Sequence, residues 1–204
     1  MDASSSLSIN CKTGEALQIA LKHRDEYTQH HCERVANIAV QTGVHLGFDD
    51  EALYHLETAA IFHDIGKIAI PDEILLNKGK LTTEQYDHMK THAVVGANIA
   101  EKLDITNSKE VANIIRHHHE HYDGSGYPHN LKGEDIPLSS RIICIIDVFD
   151  ALSSKRCYRE PIIDSEKTLA KMAEEMLHQF DPHIFDIISK IIINRVISQE
   201  EQPV

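Results

Sequence analysis

The chain contains the stretch His63-Asp64-Ile65-Gly66-Lys67, directly after the apolar run Ala59 to Phe62. If that run is helical, a helical wheel places His63 and Asp64 beside its apolar stripe rather than towards solvent. A buried, ionised carboxylate is costly unless a cation or a hydrogen-bond donor compensates its charge. Taken alone, so short a pair favours a structural His–Asp hydrogen bond, so the other segments must decide its role.

The composition predicts one domain with an aliphatic core. Of 204 residues, 42% are hydrophobic but only 5% are aromatic, and tryptophan is absent. Six prolines and nine glycines leave room for long helices, and no segment alternates polar and apolar residues as a half-buried strand would. We therefore expect an all-α helical bundle.

Charge and cysteine usage argue against several classes of protein. A net charge of -12 does not suit a protein that binds DNA or RNA duplexes, which needs a basic face. The four cysteines, Cys11, Cys32, Cys144 and Cys157, form no CxxC pair and are expected to be reduced thiols. No signal-peptide pattern or bilayer-length apolar run occurs, so we expect a cytoplasmic protein without a membrane span.

Capping residues mark the expected helices. We predict helices from about Gly14 and from about Thr28, and a third that starts at Asp49 or Asp50 and ends in the His–Asp pair. A long helix should run from Thr82 or Thr83 to about Leu103. Further helix starts are expected at Asn107 (with Glu110 as a capping box), at Ser139 or Ser140, at Asp164 or Ser165, and at Asp181-Pro182. Residues 120–137, rich in Gly and Pro, predict an extended loop.

Imidazoles and carboxylates recur on the apolar faces of the predicted helices. They come from five of these helices: His31, His63 with Asp64, His92, His118 with His119, and Asp147. One buried histidine is more often a satisfied core residue than a ligand. Five helices that converge in this way favour a metal centre, because cations make buried carboxylates and clustered imidazoles tolerable.

The number of candidate ligands indicates two ions. Five neutral histidines and two aspartates exceed what one ion needs but suit two ions that share a carboxylate. Two divalent ions would leave the pocket positive and attractive to a phosphodiester. The absence of cysteine among these candidate ligands favours Fe or Mn, with Ni, Co or Zn as alternatives. Two such ions imply hydrolysis by a bridging hydroxide.

These segments resemble the HD-GYP domains of bacteria, a subgroup of the HD phosphohydrolase superfamily. The resemblance runs from about Tyr27 to Pro182. Its segments are His63 to Asp72, Met89-Lys90-Thr91-His92, His118 to Pro128, Ile136 to Ile142, Asp147 to Leu152, and Phe180-Asp181-Pro182. The order and spacing of these segments are more specific than any one of them.

The resemblance implies a cyclic di-GMP phosphodiesterase that forms pGpG and, in some members, GMP. It implies that the seven side chains named above are metal ligands, with Asp64 as the bridge and a catalytic residue. Lys67 matches a lysine that contacts the scissile phosphate, and a helical wheel places it on the face of the His–Asp pair if the helix continues that far. The alternative for Lys67 is a solvated charge at a helix end.

Further substrate contacts are implied by the same resemblance. Tyr127 and Pro128 complete the Gly-Tyr-Pro segment, where the tyrosine could stack on a base or bond a phosphate. Arg156 and Arg159 match positions that bind substrate phosphate, which suits the planar guanidinium. Asp150 is expected to orient a ligand histidine.

One departure from the family bears on the number of ions. Members with a third metal carry a glutamate four residues before the first ligand histidine, where this chain has Tyr27. We therefore expect two ions, which leaves open how far hydrolysis proceeds beyond pGpG.

Two alternatives remain open at the level of sequence. The enzyme could prefer another cyclic dinucleotide, such as cyclic GMP-AMP. The chain could instead be a silent module that senses a nucleotide or binds regulatory or diguanylate-cyclase-type proteins through the Gly-Tyr-Pro loop. In either case we expect tails at residues 1–13 and 201–204 and a single HD-GYP domain over 14–200.

Overall fold

The computed structural model describes residues 12–24, 26–154 and 164–200, without the side chains of residues 26, 27, 29, 199 and 200. Within these ranges the regular structure is helical and no strand occurs, which confirms the predicted all-α fold. The α-helices are α1 (Lys12–Arg24), α2 (Glu26–His45), α3 (Asp50–Phe62), α4 (Asp72–Leu75), α5 (Thr83–Ala100), α6 (Ser108–Arg116), α7 (Leu138–Ser153), α8 (Ser165–Glu175) and α9 (Pro182–Glu200). Helix α1 begins inside the stretch predicted to be a tail, and residues 1–11 and 201–204 lie outside the described ranges.

Several helix starts follow from side-chain caps. Asp49 accepts a hydrogen bond from the backbone N–H of Ala52 at 2.8 Å and begins α3. Thr82 and Gln85 form a reciprocal capping box at the start of α5. Asp181 accepts from two backbone N–H groups of the first turn of α9, where proline stands at the first helical position. These three helix starts agree with the starts predicted from the sequence.

Two predicted caps differ in the structure. Asn107 is the N-cap residue of α6, as predicted, but the capping box is absent: its backbone is left-handed (φ 50°), its side chain makes no capping bond, and its side-chain amide donates to Glu51 on α3 at 2.6 Å. Helix α7 begins after Pro137, so Ser139 and Ser140 lie in its first turn. The Ser140 hydroxyl instead donates to the carbonyl of Ile114 at 2.9 Å. In both cases a tertiary contact takes the side chain that the local pattern assigned to a cap.

The core is aliphatic, as predicted. Helix α2 packs on α3 and α7, while α6 packs on α3 and α5. The largest fully buried side chains are Phe180, Leu56, Ile65, Ile70, Ile114, Ile115, Ile136, Ile142, Ile143, Ile145, Ile146 and Met172. Cys32 and Cys144 are buried free thiols, whereas Cys11 and Cys157 lie outside the described residues.

The chain leaves α3 through a turn that crosses α5 at very short range. Residues Ile65–Ala69 form a short 3-10 helix, so α3 ends before Lys67. A Cβ atom on Gly66 would lie 2.0 Å from the carbonyl oxygen of His92 and 2.5 Å from the backbone nitrogen of Gly96. Glycine therefore permits a backbone-to-backbone crossing that holds Asp64 beside His92. No helix in the described ranges is long and apolar enough to cross a bilayer.

Candidate metal centre

The seven predicted ligands lie together at the centre of the bundle. His31 lies on α2, His92 on α5 and Asp147 on α7. The other four differ from prediction in their local structure. They lie in turns just beyond helix ends, namely His63 and Asp64 after α3, and His118 and His119 after α6. The turns allow two consecutive side chains to reach the same point.

Asp64 lies between two groups of histidines. Its Oδ2 is 3.6 Å from His63 Nε2 and 3.9 Å from His31 Nε2, while its Oδ1 is 3.5 Å from His92 Nε2. The donor atoms of His31, His63 and Asp64 lie within 4.8 Å of one another, as do those of His92, His118 and His119. Asp147 joins the first group, with Oδ1 3.0 Å from His31 Nε2. The two carboxylate oxygens of Asp64 thus face different groups.

Three of the five imidazoles are held in the tautomer that leaves Nε2 free to bind a metal. The Nδ1 atoms of His63, His92 and His118 donate to the carbonyls of Ala60, Met89 and Ile115 at 2.7, 2.7 and 2.6 Å. A carbonyl only accepts, so the proton must be on Nδ1, which leaves a lone pair on Nε2. These Nε2 atoms point into the site, in the arrangement typical of metal-ligating histidines.

The donor set fits cations better than it fits hydrogen bonds alone. His118 Nε2 is buried and has no hydrogen-bond partner among the described residues. Nε2 of His92 faces Nε2 of His119 at 3.2 Å, and Nε2 of His31 faces that of His63 at 3.3 Å. A buried nitrogen lone pair without a partner, as on His118, is costly, and a cation would satisfy it. The His/Asp clusters could therefore bind metal ions.

The electrostatics point the same way. Burial, then the charges of His63 and His92, lowers the pKa of His118 to about 3, so it is a neutral donor at pH 7. Burial opposes ionisation of Asp64, but Lys67 and the surrounding histidines hold its pKa well below the ordinary value. Burial also lowers the pKa of His31, but hydrogen bonds to Asp147 and Asp150 outweigh it and raise that pKa to about 9. An ionised Asp64 beside the neutral nitrogen donor of His118 suits a bound cation.

Lys67 lies at the site although α3 does not extend to it. Its Nζ donates to Asp64 Oδ2 at 2.5 Å, and its side chain is 22% exposed. Asp147 is 17% exposed, and His119 is also partly exposed. These partly exposed groups mark the side of the centre that solvent can reach.

The Gly-Tyr-Pro loop covers the side of the centre at His119. The rings of Tyr127 and His119 are 4.8 Å apart and tilted by 30°, and Tyr127 N–H donates to the His119 carbonyl at 3.1 Å. A Cβ on Gly126 would lie 2.2 Å from the backbone nitrogen of His121, so the loop folds back tightly here. Tyr127 and Pro128, joined by a cis peptide bond, are both partly exposed. The loop thus forms one wall of the centre.

A family model described as "HD domain" matches residues 15–184. The chain belongs to the HD-domain family. The chain is 40% identical over 177 residues to the cyclic di-GMP phosphodiesterase response regulator RpfG of Xanthomonas campestris, covering 87% of this chain and 47% of that protein. It is 36% identical over 169 residues to the 3'3'-cGAMP-specific phosphodiesterase 2 of Vibrio cholerae, covering 83% of this chain and 32% of that protein. The chain thus spans a third to a half of the length of these relatives.

The fold agrees with that of a solved structure. Bd1817, described as an HDG"Y"P protein from Bdellovibrio bacteriovorus, matches with a TM-score of 0.65 at 18% identity, over 88% of this chain and 60% of that one. The family model and the sequence similarity to RpfG, together with this common fold, confirm the resemblance of this HD domain to HD-GYP proteins.

Some predicted site residues cannot be placed. Arg156 and Arg159 lie in residues 155–163, which are outside the described ranges. The side chain of Tyr27 is also not described. Their predicted roles, including the two-ion count that rests on Tyr27, therefore remain predictions.

Sequence reasoning missed two arginines that support the HD-domain centre. Arg34 donates to both oxygens of Asp150 at 2.6 and 2.8 Å, and Asp150 Oδ2 accepts from His31 Nδ1 at 2.7 Å. Arg24 donates to the carbonyls of Ile68 and Ile70 and so holds the segment that carries Lys67. Arg34 could have been found, because it lies one helical turn after His31. No local signal indicates Arg24, since its partners are more than 40 positions away.

Proposed function

We propose that this HD domain is a metal-dependent phosphodiesterase that hydrolyses cyclic di-GMP to pGpG. The observation that carries the proposal is the position of Asp64, whose two oxygens face two separate groups of histidines. One divalent ion would be held by His31, His63, Asp64 and Asp147, and the other by His92, His118, His119 and Asp64. Fe or Mn suits these donors, with Ni, Co or Zn as alternatives. When bound, such a pair supplies Lewis acidity and an activated water molecule.

The chain's own residues would orient the substrate and handle its charge. Lys67 is the cation nearest to Asp64 on the accessible side, so we propose that it donates a hydrogen bond to a phosphoryl or leaving oxygen. Tyr127 and Pro128 offer a flat, partly apolar wall for a nucleobase. Lys90 Nζ lies 5.9 Å from the Tyr127 ring centre and 4.7 Å from that of Tyr86, which places a second cation near this wall. Arg156 and Arg159 remain proposed phosphate contacts.

Replacing Lys67 by glutamine is expected to lower kcat about 100- to 1000-fold, because a donor to a developing charge is lost. The number of bound ions should stay unchanged, since Lys67 is not a proposed ligand. The measurement is steady-state turnover together with metal analysis of the same sample. Lys171→Gln, at an exposed position on α8, is the matched control and should turn over at the wild-type rate. Wild-type kcat in Lys67→Gln would contradict the role assigned to Lys67.

Replacing Arg34 by alanine is expected to weaken metal binding about 10- to 100-fold, because Asp150 loses its two-point partner and no longer fixes His31. Competition with a metal chelator measures the dissociation constant, and a urea unfolding midpoint of the metal-free protein separates this effect from a loss of folding. Arg34→Lys keeps the positive charge but not the planar two-point contact, so its metal dissociation constant should lie between those of the wild type and Arg34→Ala. An unchanged dissociation constant in Arg34→Ala would argue against the relay from Arg34 to His31.

The activity itself is tested with protein purified under reducing conditions and loaded with iron or manganese. Cyclic di-GMP should disappear and pGpG should form, with GMP as a possible second product to be scored separately. The absence of turnover in a sample confirmed to contain metal would contradict the proposal. Cyclic GMP-AMP belongs in the same panel, because one similar protein is named as specific for it.

The main rival is a silent module that binds proteins through the Gly-Tyr-Pro loop, including regulators or diguanylate-cyclase-type partners. His63→Ala discriminates, since it should abolish both metal binding and turnover in an enzyme but leave partner binding intact in a module.

We also propose a bacterial, cytoplasmic setting, since cyclic dinucleotide relatives of this domain are bacterial.

A further inference from the structure

A third group of metal-ligating side chains lies beside the proposed centre but shares no residue with it. Its members are His117 at the end of α6, Glu120, and His129 in the loop just after Pro128. One donor atom of each lies within 4.8 Å of the others. His117 Nε2 and His129 Nδ1 are 3.0 Å apart. None of the functions assigned above uses these three side chains as ligands.

The donors are oriented by hydrogen bonds to the backbone. His117 Nδ1 donates to the Asn113 carbonyl at 2.9 Å, so its Nε2 carries a lone pair. The two oxygens of Glu120 accept from the backbone N–H groups of His129 and Leu131 at 2.6 and 3.0 Å. Each carboxylate oxygen keeps a second lone pair. His117 and Glu120 are buried while His129 is exposed, so an ion could enter from solvent.

We propose that His117, Glu120 and His129 bind a single divalent transition-metal ion, with zinc as the best match. Two imidazoles and one carboxylate with an open fourth position form a common zinc donor set. In tetrahedral zinc sites two nitrogen ligands are about 3.3 Å apart, so the 3.0 Å separation here needs only a small adjustment. The His129 proton that now lies between the rings would move to Nε2, and the ion would balance the buried charge of Glu120.

Such an ion would fasten the Gly-Tyr-Pro loop to the end of α6. His129 is two residues after Tyr127, and His117 is two residues before His119. The ion would therefore link the two segments that bring the rings of Tyr127 and His119 within 4.8 Å. It would hold one wall of the proposed active site without being part of it.

The test counts ions in the full chain and does not depend on activity. Metal-stripped wild-type protein and His129→Ala are dialysed against the same concentration of zinc chloride, and zinc per chain is measured. His45→Ala, which removes an exposed histidine at the end of α2, is the matched control. We expect His129→Ala to bind one zinc ion fewer than the other two proteins. Zinc should also slow amide hydrogen exchange in residues 121–131 of the wild type more than in His129→Ala.

Equal zinc counts in the wild type and His129→Ala would overturn the proposal, because the cluster would then act through hydrogen bonds alone. A loss of two or more ions in His129→Ala would also overturn it, since His129 would then support the main centre instead of a separate site. Failure of the phosphodiesterase assay has no bearing on either result, so the two proposals can fail independently.

Discussion

Asp64→Asn is expected to reduce phosphodiesterase turnover about 1000-fold or more. Asp64 is 2% exposed and has one carboxylate oxygen towards His31 and His63 and the other towards His92. An amide keeps the shape of the side chain but removes its negative charge. Its NH₂ group, which cannot bind a metal ion, would also replace one of the two ligand oxygens. Loss of a shared anionic ligand costs several kcal/mol of charge stabilisation, which corresponds to this fold-change. Steady-state assays and metal analysis on the same preparation measure both consequences.

The matched control for this variant is Asp186→Asn, an exposed position on α9 paired with Lys190 at 2.7 Å. It should bind metal and turn over substrate as the wild type does, because a surface ion pair contributes little. If Asp64→Asn bound the full set of ions and kept its turnover, Asp64 could not be the bridge.

Gly66→Ala is expected to destabilise the fold by about 3 kcal/mol or more, because the new methyl group has no space. Its Cβ would lie 2.0 Å from the His92 carbonyl oxygen and 2.5 Å from the Gly96 nitrogen. Both are backbone atoms, which cannot move aside as a flexible side chain can. The 3-10 segment and α5 would have to separate, which would also pull Asp64 away from His92. Urea unfolding of the metal-free protein measures the loss of stability.

Gly79→Ala is the matched control, which tests whether the loss of stability is specific to the place where Gly66 crosses α5. Gly79 lies in an exposed loop, and the nearest atom to an added Cβ is the side-chain oxygen of Asn77 at 3.4 Å. Its unfolding free energy should stay within about 0.5 kcal/mol of the wild type, as is usual for surface substitutions. An equally small change for Gly66→Ala would mean that the two backbones do not approach as closely as described.

The sequence predicted what periodicity can encode. Helix α2 buries Val35, Ile38 and Thr42 on the face that carries His31, as the 3.6-residue repeat requires. These positions on α2 depend only on residues nearby in sequence, so a helical wheel was sufficient. The burial of His63 and Asp64 was also predicted, but they lie in a turn beyond the end of α3, where the helical repeat does not apply.

The sequence could not predict what distant contacts decide. The predicted third helix ended in the His–Asp pair, but α3 ends at Phe62, and Gly66 then crosses α5 at backbone contact distance. Asn107 had the pattern of a helix cap, yet it bonds Glu51, which is 56 positions away. Arg24 holds the Lys67 segment across a similar separation. Such contacts between residues distant in sequence produce no periodic pattern in the amino-acid sequence.

Anomalous X-ray diffraction from crystals of the manganese-loaded protein would locate the proposed ions. We expect two manganese peaks on either side of Asp64, one beside His31, His63 and Asp147, and the other beside His92, His118 and His119. A single peak, or two peaks that do not share Asp64, would contradict this proposal.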